Sequence, residues 1–395
     1  RMYPMLHLAF LSFIRRPLTR LILLFLIALA CALPVFLLQT AGGLYDGINR
    51  AVSPFPILVG AKGSSYQLVL NTVFLRDKPI GNITHDDVEK LASDPHTEAV
   101  YPLAFGDNYR GFRIAGTNAD IFDFRPDKKK GPWLSIAEGR CFAEEGDVVI
   151  GSETARLTGL RIGDTFHSVH GASAKGRAHN HTLKVVGILA PVKGPYDTAI
   201  LTDIRDVWEA HGTAAEAQKE VTALLVVPKG YKEAMQLLSL YQRQKDVQML
   251  FPSQTIVSLY AMVGQTKDFW GILTACLLAV SILITLLAMY WSTLGRLSEL
   301  ALLRALGVGK GDIRRLLLSE AAILLLAASF TGWLLGYGGG ALTAKLIASH
   351  AAVVMETAPD PRGLLIIPFM TVIGTLAAMI PAWLIQKKDV VRSLE

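Results

Sequence analysis

Four nearly continuous apolar stretches, at 21–38, 269–291, 321–337 and 364–385, constrain this chain of 395 residues more than any other feature. A bilayer core about 30 Å thick is crossed by a helix of about 20 apolar residues, which satisfies its own backbone polar groups where no water can. The spacing therefore predicts four transmembrane helices. An apolar content of 51% also suits a large soluble enzyme, so the clustering, not the total, decides the class.

The first stretch follows Arg15, Arg16 and Arg20, as the apolar part of a cleaved secretory signal would. An apolar, amphipathic lead over 2–14 and the lack of a small-x-small cleavage site before 42–49 favour a retained span. Lys and Arg collect on cytoplasmic flanks. Arg15, Arg16 and Arg20 precede span one; Arg296, Arg304, Lys310, Arg314 and Arg315 lie between spans two and three; Lys387, Lys388 and Arg392 follow span four. Both termini are thus expected inside. The net charge of +6 is then a matter of topology, and no nucleic-acid role is needed to explain it.

The expected fold class is an α-helical membrane protein with four transmembrane helices plus a mixed α/β extracytoplasmic domain inserted between spans one and two. An amphipathic cytoplasmic helix takes 1–20, the spans take 21–41, 268–292, 320–345 and 364–386, and the outer domain takes 42–267. A cytoplasmic segment follows at 293–319, a short outer loop at 346–363 and a cytoplasmic tail at 387–395. In the outer domain, β-rich runs bounded by Gly, Pro and Asp predict strands at 56–60, 147–151, 183–189 and 221–227. Helices are expected at 84–93, 203–211 and 231–244, the first opened by a capping box of Thr84 with Asp87. The stretch 59–74 reads either as core or as an apolar site for a lipophilic cargo. Cys31 and Cys276 fall in spans and Cys141 stands alone, so no disulfide framework is indicated.

Two local patterns carry chemistry. Gly332, Gly336 and Gly340 recur every four residues in span three, a spacing that lets helix backbones approach closely. His167 and His170, with His179 and His181, flank a Gly/Ala/Ser-rich loop between two predicted strands; neutral imidazoles so placed suit a transition metal. A solvated polar loop is the alternative. No paired-carboxylate, Ser/His/Asp or Cys/His constellation stands out, so the chain is not expected to be an enzyme.

The segment between spans two and three reads GRLSELALLRALGVGKGDIRRLLLSE, from Gly295 to Glu320. Arg296, Glu299 and Arg304 lie on a helical period before Gly307, a natural stop, and Asp312 opens the next helix. Glu320 is ionisable at the mouth of a span, where a partner is expected. This stretch resembles the signature of MacB/FtsX-family permeases at Arg296, Glu299, Leu303, Arg304, Ala305, Gly307, Ile313 and Glu320. The lead over 8–20, Ile380-Pro-Ala-Trp383 with the tail over 389–394, and the outer-domain runs 114–120, 138–140, 149–151, 159–164 and 185–189 are similar to that family in the same order. The resemblance covers nearly the whole chain.

The resemblance implies a bacterial inner-membrane permease of an ABC transporter. Its 293–319 segment would dock on two copies of a separate ATPase subunit, which binds ATP and Mg, and a second permease copy would complete a dimer. A phosphate-binding GxxxxGK[ST] loop is missing, and Gly307-Val-Gly-Lys-Gly311 has the wrong spacing for one. The cargo is expected to be hydrophobic or metal-linked. Alternatives are a lipoprotein-release permease with a periplasmic partner, a transmitter that activates a cell-wall hydrolase without transporting anything, and a sensor with no ATPase.

Overall fold

The computed structural model describes residues 17–170, 178–210, 219–262, 266–348, 354–355 and 357–380. The described residues open with α1 (Pro17–Val52), β1 (Ile57–Ala61), α2 (Ser65–Thr72), β2 (Ile83–Thr84), α3 (His85–Ala92), β3 (Thr97–Tyr109) and β4 (Phe112–Thr117). Next come β5 (Ile136–Gly139), β6 (Asp147–Ile150), α4 (Ser152–Thr158), β7 (Thr165–His170), β8 (Ala178–Leu189), β9 (Ile200–Asp203), α5 (Ile204–Ala210), β10 (Glu220–Val221) and β11 (Ala223–Pro228). It closes with α6 (Tyr231–Tyr241), β12 (Val247–Leu250), α7 (Pro252–Met262), α8 (Thr266–Leu294), α9 (Leu297–Ala305), α10 (Lys310–Ala348) and α11 (Pro361–Ala377). Two compact units result, dividing after Leu44 and before Thr266.

The outer unit is built on a ten-stranded sheet in the order β12-β1-β11-β3-β4-β9-β6-β8-β5, with β7 pairing β3 and β8, and β2 pairs β10 in a second, two-stranded sheet. Its side chains alternate between two cores, as the two-residue period of a strand requires. Leu58, Leu103 and Leu225 face one core, and Ile57, Val59, Leu224 and Val226 face the other. A sheet buried on both faces explains why β6 after Asp147 and the start of β11 read as apolar runs. The β3–β4 turn places Arg110 at φ 51° and Gly111 at φ 89°, the pair of positive angles that a two-residue hairpin favours.

Several local expectations are altered. The run 221–227 is two strands, because Thr222 leaves both ladders and its hydroxyl accepts from the Phe105 amide at 3.0 Å. The Thr84 hydroxyl donates to Asp87 Oδ2 at 2.8 Å and caps no backbone amide. Within 59–74, Leu68, Val69, Val73 and Phe74 are buried in the core, while Leu70 is exposed. Cys31, Cys141 and Cys276 are free thiols.

In the helical unit, α1, α8 and α10 are long and apolar enough to cross a membrane, whereas α11 is shorter. Its 17 described residues rise about 26 Å. α1 overruns the expected span end at 41 and carries on through Gly42, Gly43 and Asn49 to Val52. Those residues are poor helix formers, but Ala51 and Val52 are buried in the outer unit's core with Ile48 packed against it, and tertiary packing overrides propensity.

α10 lies against α1 along the glycine seam. A Cβ built on Gly332 would fall 2.5 Å from the Ala28 carbonyl oxygen, one on Gly336 2.5 Å from that of Ala32, and one on Gly340 2.7 Å from Cγ of Gln39. Pro34 adds a second constraint, since it cannot donate to the carbonyl of Ala30 one turn earlier. The Ser281 hydroxyl of α8 answers that carbonyl at 2.7 Å, sharing its one proton with the Leu277 carbonyl. Farther along α1, the buried Gln39 donates to the Ala358 carbonyl at 2.7 Å and accepts from the Asp360 amide at 3.0 Å.

Gly336→Ala is expected to destabilise the helical unit by roughly 1–3 kcal/mol through overpacking. Gly338→Ala, whose new Cβ meets nothing within 4 Å, should be neutral or slightly stabilising. Denaturant unfolding of the two variants in detergent, side by side, checks the contrast.

Candidate functional site

The turn from α8 into α9 brings distant charges together. Arg296 sits at the N-cap of α9, and Glu320 lies 24 residues on, inside α10. Glu320 Oε2 accepts from Arg20 Nη2 of α1 at 2.6 Å and from Arg296 Nη1, while Arg296 Nη2 stands 3.4 Å from Oε1. Arg296 Nε also reaches Glu299 Oε2 at 3.3 Å. The Glu320 side chain is 3% exposed, that of Arg20 9% and that of Arg296 16%. Two guanidiniums face two carboxylates, so the group is neutral as a whole.

Such a pairing has a plain reason. A buried lone carboxylate loses its hydration and costs several kcal/mol, which only close, multiply bonded counter-charges offset. Burial works against the charge on Arg296, but Glu320 and Glu299 more than offset it and hold the guanidinium above its ordinary range. Beside the cluster, Ser292 and Thr293 border a void of about 20 Å³, room for one water.

α9 itself is sharply bounded. The Gly307 amide bonds the Arg304 carbonyl at 3.0 Å and the Val308 amide bonds the Leu303 carbonyl at 3.1 Å, the paired bonds of a Schellman stop. Gly307 carries φ 90°, which a side chain would strain. α10 then begins at Lys310, with Asp312 in its first turn. On α9, Leu300 and Ala301 are buried while Leu302 is 63% exposed, and Leu306, the residue that caps its C-terminus, is 73% exposed. Ser298, Leu302, Ala305 and Leu306 recur at helical spacing on one open face; Leu303 and Arg304 are half-buried and Ile313 is buried.

Arg20 was legible in the sequence only as a flanking charge, because its partner is 300 positions away. For Glu320 a partner was expected but not named, and the structure supplies two.

The histidines do not converge among the described residues. His167 and His170 are exposed on β7, and the His170 ring nitrogen Nδ1 lies 3.4 Å from Asp107 Oδ1. β8 pairs antiparallel with β7, Thr182 opposite His167. The side chains of His179 and His181 lie outside the described residues, and no group of three metal-ligating side chains occurs among those described.

Membrane-length helices, a short charged helix between two of them and a large α/β unit define the class: a polytopic membrane protein that carries a folded extramembrane domain. Residues 24–235 match the family model of the MacB-like periplasmic core domain, and residues 271–390 that of the FtsX-like permease C-terminal region. The chain therefore belongs to the MacB/FtsX-like family of ABC transporter permeases. Among solved structures, the extracellular domain of the noncanonic ABC-type transporter YknZ from Gram-positive bacteria is similar at 14% identity and a TM-score of 0.31. That likeness covers 49% of this chain and 98% of that one. Among curated proteins no sequence matches.

Glu320→Ala removes the shared counter-charge and leaves two guanidiniums facing each other, so a loss of roughly 3–5 kcal/mol is expected. Glu320→Gln, which keeps an acceptor oxygen, should lose less. Thermal unfolding of both variants in one detergent tests the order, and a reversed order would refute the account.

Proposed function

We propose that this chain is the permease subunit of a bacterial inner-membrane ABC transporter, with cytoplasmic termini and α11 serving as the fourth span. Two copies pair, and each engages one copy of a separate ATPase through the 293–319 segment. ATP chemistry stays in that partner, and its stroke, delivered to α9, moves the helices and through α1 the periplasmic domain. The work exports or extracts a hydrophobic or metal-linked substrate at the outer face of the membrane.

The open apolar face of α9 carries this reading. Leu302 and Leu306 stand exposed on a helix whose other side is packed, and an exposed apolar stripe of this kind calls for a covering partner. Behind it, the Arg296–Glu320–Arg20 group ties α9 to both α1 and α10, so a push on α9 reaches the spans. Arg304 and Glu299 supply the charged edge of the same surface.

Glu299→Ala, Arg304→Ala or Leu302→Asp is expected to reduce copurification of the ATPase several-fold while membrane insertion is unchanged. Unaltered copurification together with unaltered stimulated hydrolysis would remove α9 from the interface. The stimulus separates the related readings: a cargo amphiphile for an exporter, a lipoprotein for a release permease, a hydrolase partner for a transmitter.

The metal-linked arm rests on His167, His170, His179 and His181. Zinc titration of the protein against a variant with all four changed to Ala should show a tighter site in the wild type, and equal affinities would dispose of that arm.

A further inference from the structure

Where α1 ends, the outer unit contains a cleft of about 340 Å³, within the size range of small-molecule sites. Its floor is aromatic. Trp133 packs edge-on against Phe55 at 5.1 Å between ring centroids and tilted against Tyr196 at 4.8 Å. Tyr196 is 1% exposed and its hydroxyl donates to the Thr72 carbonyl at 3.0 Å, so this surface is fixed from beneath. Pro54, Pro126, Pro132 and Pro195 add rigid apolar sides.

One wall is a prebuilt loop. Asp197, 3% exposed, accepts from the amides of Val192 at 2.7 Å and Gly194 at 3.1 Å and from the Ser152 hydroxyl at 3.2 Å. Between those amides Lys193 is held at φ 55°, a conformation that a non-glycine residue keeps only when its surroundings insist. The wall is therefore in place before any ligand arrives, which lowers the cost of binding.

The rim is basic. Arg50, in the last turn of α1, and Lys130 line the cleft, with Asp127 the lone lining carboxylate, 3.6 Å from Lys130. Two cations against one anion leave the lining at +1, while nearby Lys128 stands outside the lining and pairs with Glu98 at 3.0 Å. An apolar floor under a cationic rim selects against cations, through the rim, and against small fully hydrated anions, through the floor.

We propose that this cleft binds a small anionic amphiphile, its apolar body on Trp133 and the prolines and its carboxylate or phosphate at Arg50 and Lys130. The assignment deepens the transport reading by naming a cargo class and rests on it only for the word cargo, because occupancy needs neither nucleotide nor ATPase.

The experiment uses the full chain in zwitterionic-lipid nanodiscs and labelled octyl phosphate, with empty nanodiscs subtracted. One saturable site per chain is expected, with octanoate competing, octyltrimethylammonium not competing, and octyl glucoside competing weakly. The relative strength of octanoate tells whether carboxylate or phosphate is preferred. Changing Arg50 and Lys130 together to Gln should weaken binding roughly fivefold to tenfold. Gly131→Phe, at a lining position where a Cβ meets nothing within 4 Å, should weaken it by occupying the cleft. Circular dichroism establishes that each variant is folded. Equal competition by the cationic amphiphile, no saturable site, or unchanged affinity in the double variant would overturn the proposal. Lost binding with the ATPase still copurifying would sink this site alone, and retained binding without any ATPase would sink the coupling reading alone.

Discussion

The Glu320 carboxylate, held between two guanidiniums, is the constraint around which the helical unit is organised. Arg20 comes from α1, Arg296 from the turn before α9 and Glu320 from α10, so one buried charge fastens three segments that the chain keeps far apart. Pulling any of them away would strand a charge in surroundings that cannot hydrate it. The consequence is mechanical. α9 has short links on both sides, a Schellman stop after it and an ion group before it, and is fixed to its neighbours as a rigid projection and not as a loose loop.

α1 extends that rigidity along the unit. It is tied to α10 by glycines that let the backbones nearly touch, to α8 by the Ser281 hydroxyl at the carbonyl that Pro34 leaves without its usual donor, and to the 358–360 turn by Gln39. Each tie uses a group that would be costly to leave unsatisfied away from water, which makes the packing specific as well as close. α1 runs as one helix from Pro17 to Val52, about 54 Å long, and its last turn packs in the outer unit's own core through Ala51 and Val52.

Much of this was legible in the sequence where the signal is local. Apolar length gave three of the four expected membrane-length helices, Gly307 the end of α9, and four-residue glycine spacing the close face on α10. β1, β6, the end of β8 and β11 showed because strands buried on both faces read as mostly apolar runs. What escaped was non-local or set by packing. Arg20 and Glu320 are 300 positions apart, and neither announces the other. Gly42, Gly43 and Asn49 argue against a helix that the core of the outer unit nonetheless imposes. The cleft near Trp133 draws on residues from 50 to 196, with no motif at any one of them.

The two open surfaces differ in kind, and the difference bears on what each is for. α9 offers Leu302 and Leu306 on a convex helical face with no enclosing walls, which gives little hold on a small molecule but suits the groove of another protein. The cleft at the end of α1 is concave, aromatic at its base and cationic at its edge, a shape that rewards a ligand able to enter it and offers little to a flat protein surface. The proposed ATPase contact and the proposed amphiphile site would call for one surface of each type, and α1 contributes Arg20 to the ion group beside α9 and Arg50 to the rim of the cleft.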